Sequence, residues 1–170
     1  MGKNKSSEKQ PKTPPQNICF SFANILNKCV TINHQDYFSF TNRVPVKEIR
    51  KYRTIIEHTL RGWSQKTITQ LGQDQECFPV KKDVINQTRN NIARVFRKAS
   101  YNSGWIEQNI QDSDLYKFKI DQQIRMFGIV ERNVIYILLY DLWHQINKDK
   151  RFKVPTELVC TWCLKSCDKG

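Results

Sequence analysis

Arg125, Tyr140, Asp141 and His144 gather around the most strand-like run of the chain, VIYILLYD at 134–141, and its continuation DLWHQINK. His144 is one of three histidines. An arginine, a tyrosine and a histidine make up a set that suits metal-free RNA cleavage. A base takes the proton of the ribose hydroxyl, a cation steadies the phosphorane, and an acid protonates the leaving oxygen. The catalytic candidates are therefore His144, Arg125 and Tyr140. The structural alternative is plainer: Asp141 caps a turn, and His144 hydrogen-bonds nearby backbone.

A second group of residues points to polyanions. The chain has 170 residues, with 28 Lys and Arg against 16 Asp and Glu, a formal net charge of +12. Such an excess favours nucleic acid as partner, with anionic membrane second. The basic residues concentrate on two segments of helical period. In VPVKEIRKYRTIIEHTLRGW, Val46, Ile49, Tyr52, Ile56, Leu60 and Trp63 share one face, and Lys47, Arg50, Lys51, Thr54, His58 and Arg61 share the other. In VINQTRNNIARVFRKAS, Ile85, Thr88, Ile92, Val95, Phe96 and Ala99 form the apolar stripe. Asn86, Gln87, Asn90, Asn91, Arg94, Arg97 and Lys98 form its polar face, and no acidic residue occurs from 84 to 100. A solvated helix usually mixes signs, because unlike pairs four residues apart support it. An acid-free face has a standing repulsion that a polyanion relieves. Arginine grips phosphate bidentately, while Asn and Gln reach bases or sugars. The nucleic-acid-binding candidates are Lys47, Arg50, Lys51, Arg61, Arg89, Arg94, Arg97 and Lys98. The residues from 101 to 123 instead carry Glu107, Asp112, Asp114 and Asp121 against Lys117 and Lys119, so charge is polarised along the chain.

The tail VCTWCLKSC offers Cys160, Cys163 and Cys167 as metal ligands. Two thiolates separated by two residues grip one zinc ion, and Cys77, His144 or a partner chain would complete the site. The alternative is a short amphipathic helix with the cysteines packed as small hydrophobes. A structural zinc is thus the one cofactor the sequence suggests. Cys19 and Cys29 read as strand or core residues, His34 as a turn residue, and His58 as a solvated one.

The elements that must position these groups are legible from pattern. Residues 1–16 form a basic, proline-bearing leader expected to be disordered. Residues 17–148 form a single α+β domain, and 149–170 a cysteine-containing extension. ICFSF, VTI at 30–32 and YFSF at 37–40 read as a meander of short strands. LYKFKI, IRMFGIVE and VIYILLYD read as three more, with a tight turn at Arg132-Asn133 in which Asn takes the positive φ. A short strand is expected near 77–80. The whole is an antiparallel sheet of about five or six strands with two main helices. Gly62 is the expected stop of the first helix, Ser64 the cap of a short one ending at Gly72, and Asp83 the cap of the last. No run of about 18 apolar residues exists to cross a membrane.

The stretch IRMFGIVERNVIYILLYDLWHQ resembles the closing hairpin of the RelE/ParE-like toxin superfamily. It is also similar to the ending of small bacterial and mobile-element proteins with an R-x-F-G strand, a turn, and a strand closing on D-x-x-H. The resemblance spans 124–146. It implies a cytoplasmic, metal-independent endoribonuclease, with His144, Arg125 and Tyr140 at the site and an antitoxin as protein partner. The extension beyond the hairpin departs from that pattern. Two further functions use the same features: a non-catalytic binder that inhibits a nucleic-acid machine, from a phage or plasmid, and a partner-docking module with a zinc-binding tail.

Overall fold

A computed structural model of the chain describes residues 16–26, 28, 30–32, 35–37, 43–44, 46–148, 151–153 and 159–160. The elements run β1 (Cys19–Ser21), β2 (Val30–Ile32), β3 (Gln35–Tyr37), β4 (Arg43–Val44), α1 (Ile49–Trp63), α2 (Ile68–Gln73), β5 (Cys77–Pro79) and α3 (Ile85–Lys98). They continue with α4 (Ser103–Ile106), β6 (Leu115–Lys119), β7 (Arg125–Glu131), β8 (Val134–Asp141) and β9 (Val159–Cys160). Five strands form the main sheet in the order β1-β8-β7-β6-β5. The class is α+β and the sheet is mostly antiparallel, with β1 the exception: it lies parallel to β8. Among the described residues β1 does not join the expected N-terminal meander, and residues 38–40 of its last strand lie outside them. β2 and β3 pair with each other and β4 pairs with β9, so the C-terminal extension returns to the segment before α1.

Helices cover both faces of the sheet. On one, α1 and α2 bring Tyr52, Ile56, Trp63 and Leu71 against Phe118, Ile124, Met126, Ile135, Ile137 and Tyr140. On the other, α3 and α4 bring Ile92, Val95, Phe96 and Ile106 against Leu115, Phe127, Ile129, Leu138 and Leu139. That double cover explains why VIYILLYD is apolar in both phases.

A β-bulge divides the central hairpin. Phe127 faces Leu139 but Gly128 faces Ile137, which leaves Leu138 as the extra residue. Strict alternation would put Leu139 with Ile135 and Ile137. The extra residue reverses the phase, so Leu138 and Leu139 both serve the α3 side. Gly128 is required opposite the bulge, because a Cβ there would lie 2.7 Å from the Tyr136 carbonyl oxygen. Gly128→Ala must push the two strands apart. It is expected to cost about 1–3 kcal/mol, read as a lower midpoint in urea unfolding.

Local signals differ from expectation at four places. Gly62 lies inside α1, which ends one residue later with Ser64 as its C-cap. The cap of α2 is Thr67, whose hydroxyl accepts from the Gln70 N–H while Gln70 returns a bond to the Thr67 N–H. Asp83 sits in the turn before α3, and no side chain caps that helix. In the Arg132-Asn133 turn it is Arg132 that takes φ 57°, while the Asn133 amide donates to the Asn17 carbonyl and ties the turn to the segment before β1. The end of α3 follows from backbone chemistry. Ser100 is left-handed at φ 67°, its N–H donates to Arg97 O, and the Tyr101 N–H donates to Phe96 O.

Candidate anion site at the end of the central hairpin

The ladder places Lys119, Arg125 and Asp141 in one row and Lys117, Phe127 and Leu139 in the next, all directed to the α3 side. The bulge is what sends Asp141 there. Tyr140 is consequently turned the other way. It is 1% exposed within the α1-side core, and burial pushes its phenol well above the usual range. The structure therefore brings Arg125 and His144 together but not Tyr140, because neighbours on a strand point to opposite faces.

Asp141 is 4% exposed and caps the turn that follows β8. One carboxylate oxygen accepts from the Gln145 N–H at 2.8 Å and the other from the Ile146 N–H at 3.0 Å. Burial pushes its pKa up to about 6. The N–H groups of Gln145, Ile146 and Trp143 and the charge of Arg125 hold it from going higher. Trp143 meets Tyr52 of α1 edge-on at 5.9 Å, which fixes the turn from the opposite side. His144 sits at φ 52°, a strained left-handed conformation for a residue with a side chain. Its Nε2 lies 2.9 Å from the Gln123 carbonyl oxygen. A carbonyl only accepts, so Nε2 carries the proton. The ring also stacks on Phe152, with centroids 4.0 Å apart and planes inclined by 6°. These are the bonds of the structural alternative: a capping aspartate and a histidine fixed to backbone.

α3 secures the next segment. The Asn91 amide donates to Ile146 O at 2.8 Å, and the Thr88 hydroxyl donates to the Asn147 side-chain oxygen at 3.0 Å. Asn147 and Lys148 are thereby held over the sheet, where Lys117, Arg125, Phe127, Asp141, His144 and Arg151 complete a cavity of about 530 Å³. A second cavity of about 680 Å³, lined by residues including Gln122, Gln123 and Phe152, shares Arg125 and Arg151 with the first. Arg125 is anchored by donating to the carbonyls of Asp121 at 2.6 Å and Ile124 at 3.1 Å.

Lys117 has the most unusual setting. It is half-buried, and burial lowers its pKa, with the charges of Arg125 and Lys81 lowering it further. Among the described residues its ammonium meets no carboxylate, and the ion pairs there join Lys66 to Asp74 and Glu76. Sequence reasoning missed Lys117, Lys148, Arg151 and Asn147. For Lys117 a signal existed: in LYKFKI it holds the same phase as Leu115, an inward position where a lysine is costly.

The two basic helix faces do not form one surface, because α1 and α3 lie on opposite sides of the sheet. Lys47, just before α1, and Arg50, Lys51 and Arg61 on it are exposed, but exposed Glu57 stands four residues from both Arg53 and Arg61. That face mixes signs. On α3, Arg94, Arg97 and Lys98 are exposed, and the helix itself carries no acidic residue. Arg89 is not part of it. Its guanidinium turns inward and donates to Ser113 O at 2.6 Å, pinning α3 to the segment before β6. Cys163, Cys167 and the side chain of Cys160 lie outside the described residues. Among those described, no group of three His, Cys, Asp or Glu side chains is placed to hold a metal ion. Cys77 is buried, which pushes its thiol up to about 12. No helix of the described residues is long and apolar enough to cross a membrane.

Fold and cavity together define an α+β chain with a cation-lined hollow at one end of its sheet. No family model, curated protein or solved structure matches it.

Proposed function

We propose that this chain binds nucleic acid, RNA in particular, on its α3 side, with a phosphate group seated among Lys117, Arg125, Lys148 and Arg151. The observation that carries the reading is Lys117, a half-buried cation beside Arg125 and Lys81, whose own ammonium meets no carboxylate among the described residues. Such a site is strained electrostatically when empty of anion, and a phosphate relieves it. The exposed Arg97 and Lys98, together with Asn86, Gln87 and Asn90 on α3, supply sugar and backbone contacts on the same side of the sheet. The +12 charge steers the encounter. A binder that occupies RNA or blocks a nucleic-acid machine, encoded by a bacterium, phage or plasmid, fits this arrangement.

Affinity for single-stranded RNA is expected to fall steeply as salt rises, since neutralised phosphates release counterions. With three or four phosphates engaged, the log–log slope is roughly −2 to −3. Filter binding over a salt series reads it directly, and a flat response would reject the proposal.

A toxin-like, metal-independent endoribonuclease is the second reading, favoured by Arg125 and His144 lining one cavity. Against it, Tyr140 is buried on the far face, and His144 and Asp141 are tied to backbone. Incubating RNA with wild type and with His144→Asn separates the two. Asparagine tolerates the left-handed backbone at this position, where alanine does not. Cleavage by wild type that the variant loses would establish the enzyme, and intact RNA with both would reject it.

A further inference from the structure

From the exposed ring beside Lys117 we infer that Phe78 is a stacking platform for an unpaired nucleobase, and that the RNA bound is therefore single-stranded and not duplex. This rests on the phosphate-binding reading above and adds a base to it. Two large apolar side chains are exposed among the described residues, Phe22 after β1 and Phe78 on β5, at opposite edges of the main sheet. The ladder pairs Phe78 with Lys117 and Lys117 with Phe127, so the three form one row across β5, β6 and β7. Alternation fixes the face the row takes. Cys77 and Phe118 lie in the α1-side core, while Val80, Leu115 and Phe127 lie in the α3-side core. Phe78 and Lys117 thus stand on the α3 side. Val80, two residues on, is 7% exposed, whereas Phe78 is 37% exposed. A phenyl ring left in water forgoes the free energy of burial, which a ligand laid on its face supplies.

Charge selects the ligand. Directly opposed residues of an antiparallel ladder have Cβ atoms about 4.5–5.5 Å apart, so a base lying on Phe78 keeps its own phosphate within reach of Lys117. Lys119 continues the same phase of β6 and is exposed. Lys81 and Lys82 follow β5, both exposed, and the charge of Lys81 acts on Lys117. A ring interleaved with cations suits a strand whose bases turn outward: the ring takes the base and the lysines take phosphates. A duplex stacks its bases internally and has no such face to offer. The competing occupant of a sheet edge is a protein strand. Here the Val80 N–H donates to Leu115 O and Glu76 O accepts from the Lys119 N–H, so residues 76, 78 and 80 bond inward. Pro79 therefore faces the outer edge, where it has no N–H to donate, and the edge is a poor template for a further strand.

Fluorescence anisotropy with the full chain tests this, using one labelled single-stranded RNA, its duplex, and a strand of equal length with abasic riboses. Wild type is expected to bind the single strand on the order of tenfold tighter than the abasic strand. Phe78→Leu keeps an apolar side chain and removes the aromatic face. It should lose that tenfold, leave affinity for the abasic strand and the duplex unchanged, and keep the salt slope, because no phosphate contact is touched. Phe78→Tyr restores an aromatic face and should bind as wild type does. Equal wild-type affinity for the intact and abasic strands would overturn the inference while leaving phosphate binding standing. So would a Phe78→Leu variant that binds the single strand as tightly as wild type. A loss in that variant that falls equally on the abasic strand or the duplex would also overturn it, since Phe78 would then support the site without touching a base. If wild type binds none of the strands at low salt, the underlying phosphate reading fails too.

Discussion

Asp141→Ala is expected to lower stability by about 2–4 kcal/mol, measured by urea unfolding at neutral pH. The substitution removes the acceptor for the Gln145 and Ile146 N–H groups, which lie in a buried turn. Each orphaned donor costs about 1–3 kcal/mol, offset in part by relief of the buried charge. The loss should spread to the cavity, because this turn carries His144 and leads into Asn147 and Lys148. Protonation gives an independent check. Asp141 titrates near 6 in the folded chain, against 3.8 for an ordinary aspartate. Between those values the folded state holds more protons than the unfolded state. The stability this group contributes is therefore full below the lower value, declines as pH rises through the window, and is flat above about 6, for a total of about 3 kcal/mol. Wild-type stability minus that of Asp141→Asn should show this falling step between the two values. A difference curve that rises or stays level there would show that burial does not dominate at Asp141.

Lys117→Glu is expected to weaken RNA binding on the order of a hundredfold. It removes the cation with the least compensated setting and places a carboxylate beside Asp141 on the floor of the cavity. The fold should not suffer. The new carboxylate would lie between Arg125 and Lys81, the two charges that now oppose the lysine. Stability held or raised while affinity collapses is what a residue kept for binding shows. If stability and affinity fell together, Lys117 would be a packing residue and its charge incidental.

Much of the scaffold was legible in the sequence. VIYILLYD is β8 from end to end, and both long helices lie where their 3.6-residue period put them. The apolar stripe of α3, from Thr88 through Ala99, is buried as its spacing requires. The site was legible in part. Asp141 and His144 were found because rare polar residues end an apolar run, and Arg125 because the hairpin places it at the same end. Tyr140 was misplaced because one extra residue, Leu138, reverses the phase of the strand, and no local pattern announces a bulge that Gly128 on the neighbouring strand permits. The parallel pairing of β1 with β8 and the return of β9 to β4 are long-range choices that short strands do not encode. Asn147 and Lys148 escaped notice because tertiary bonds, Thr88 to Asn147 and Asn91 to Ile146, bring their segment to the cavity. Arg89 looked like a surface cation by composition, and only its bond to Ser113 shows otherwise. The pair of basic helices was right as helices. Their separation by the sheet keeps the two faces from forming one surface, and Glu57 mixes the signs on α1.

The central claim is that charge acts through place and not through total. Lys117→Glu and Arg53→Glu alter the net charge by the same amount. Lys117 sits in the cavity, and Arg53 is exposed on α1 across the sheet. Titrating one single-stranded RNA with both variants under identical salt isolates position from charge. The expected result is on the order of a hundredfold loss for Lys117→Glu and less than about threefold for Arg53→Glu. Equal losses for the two, or the larger loss for Arg53→Glu, would contradict the account.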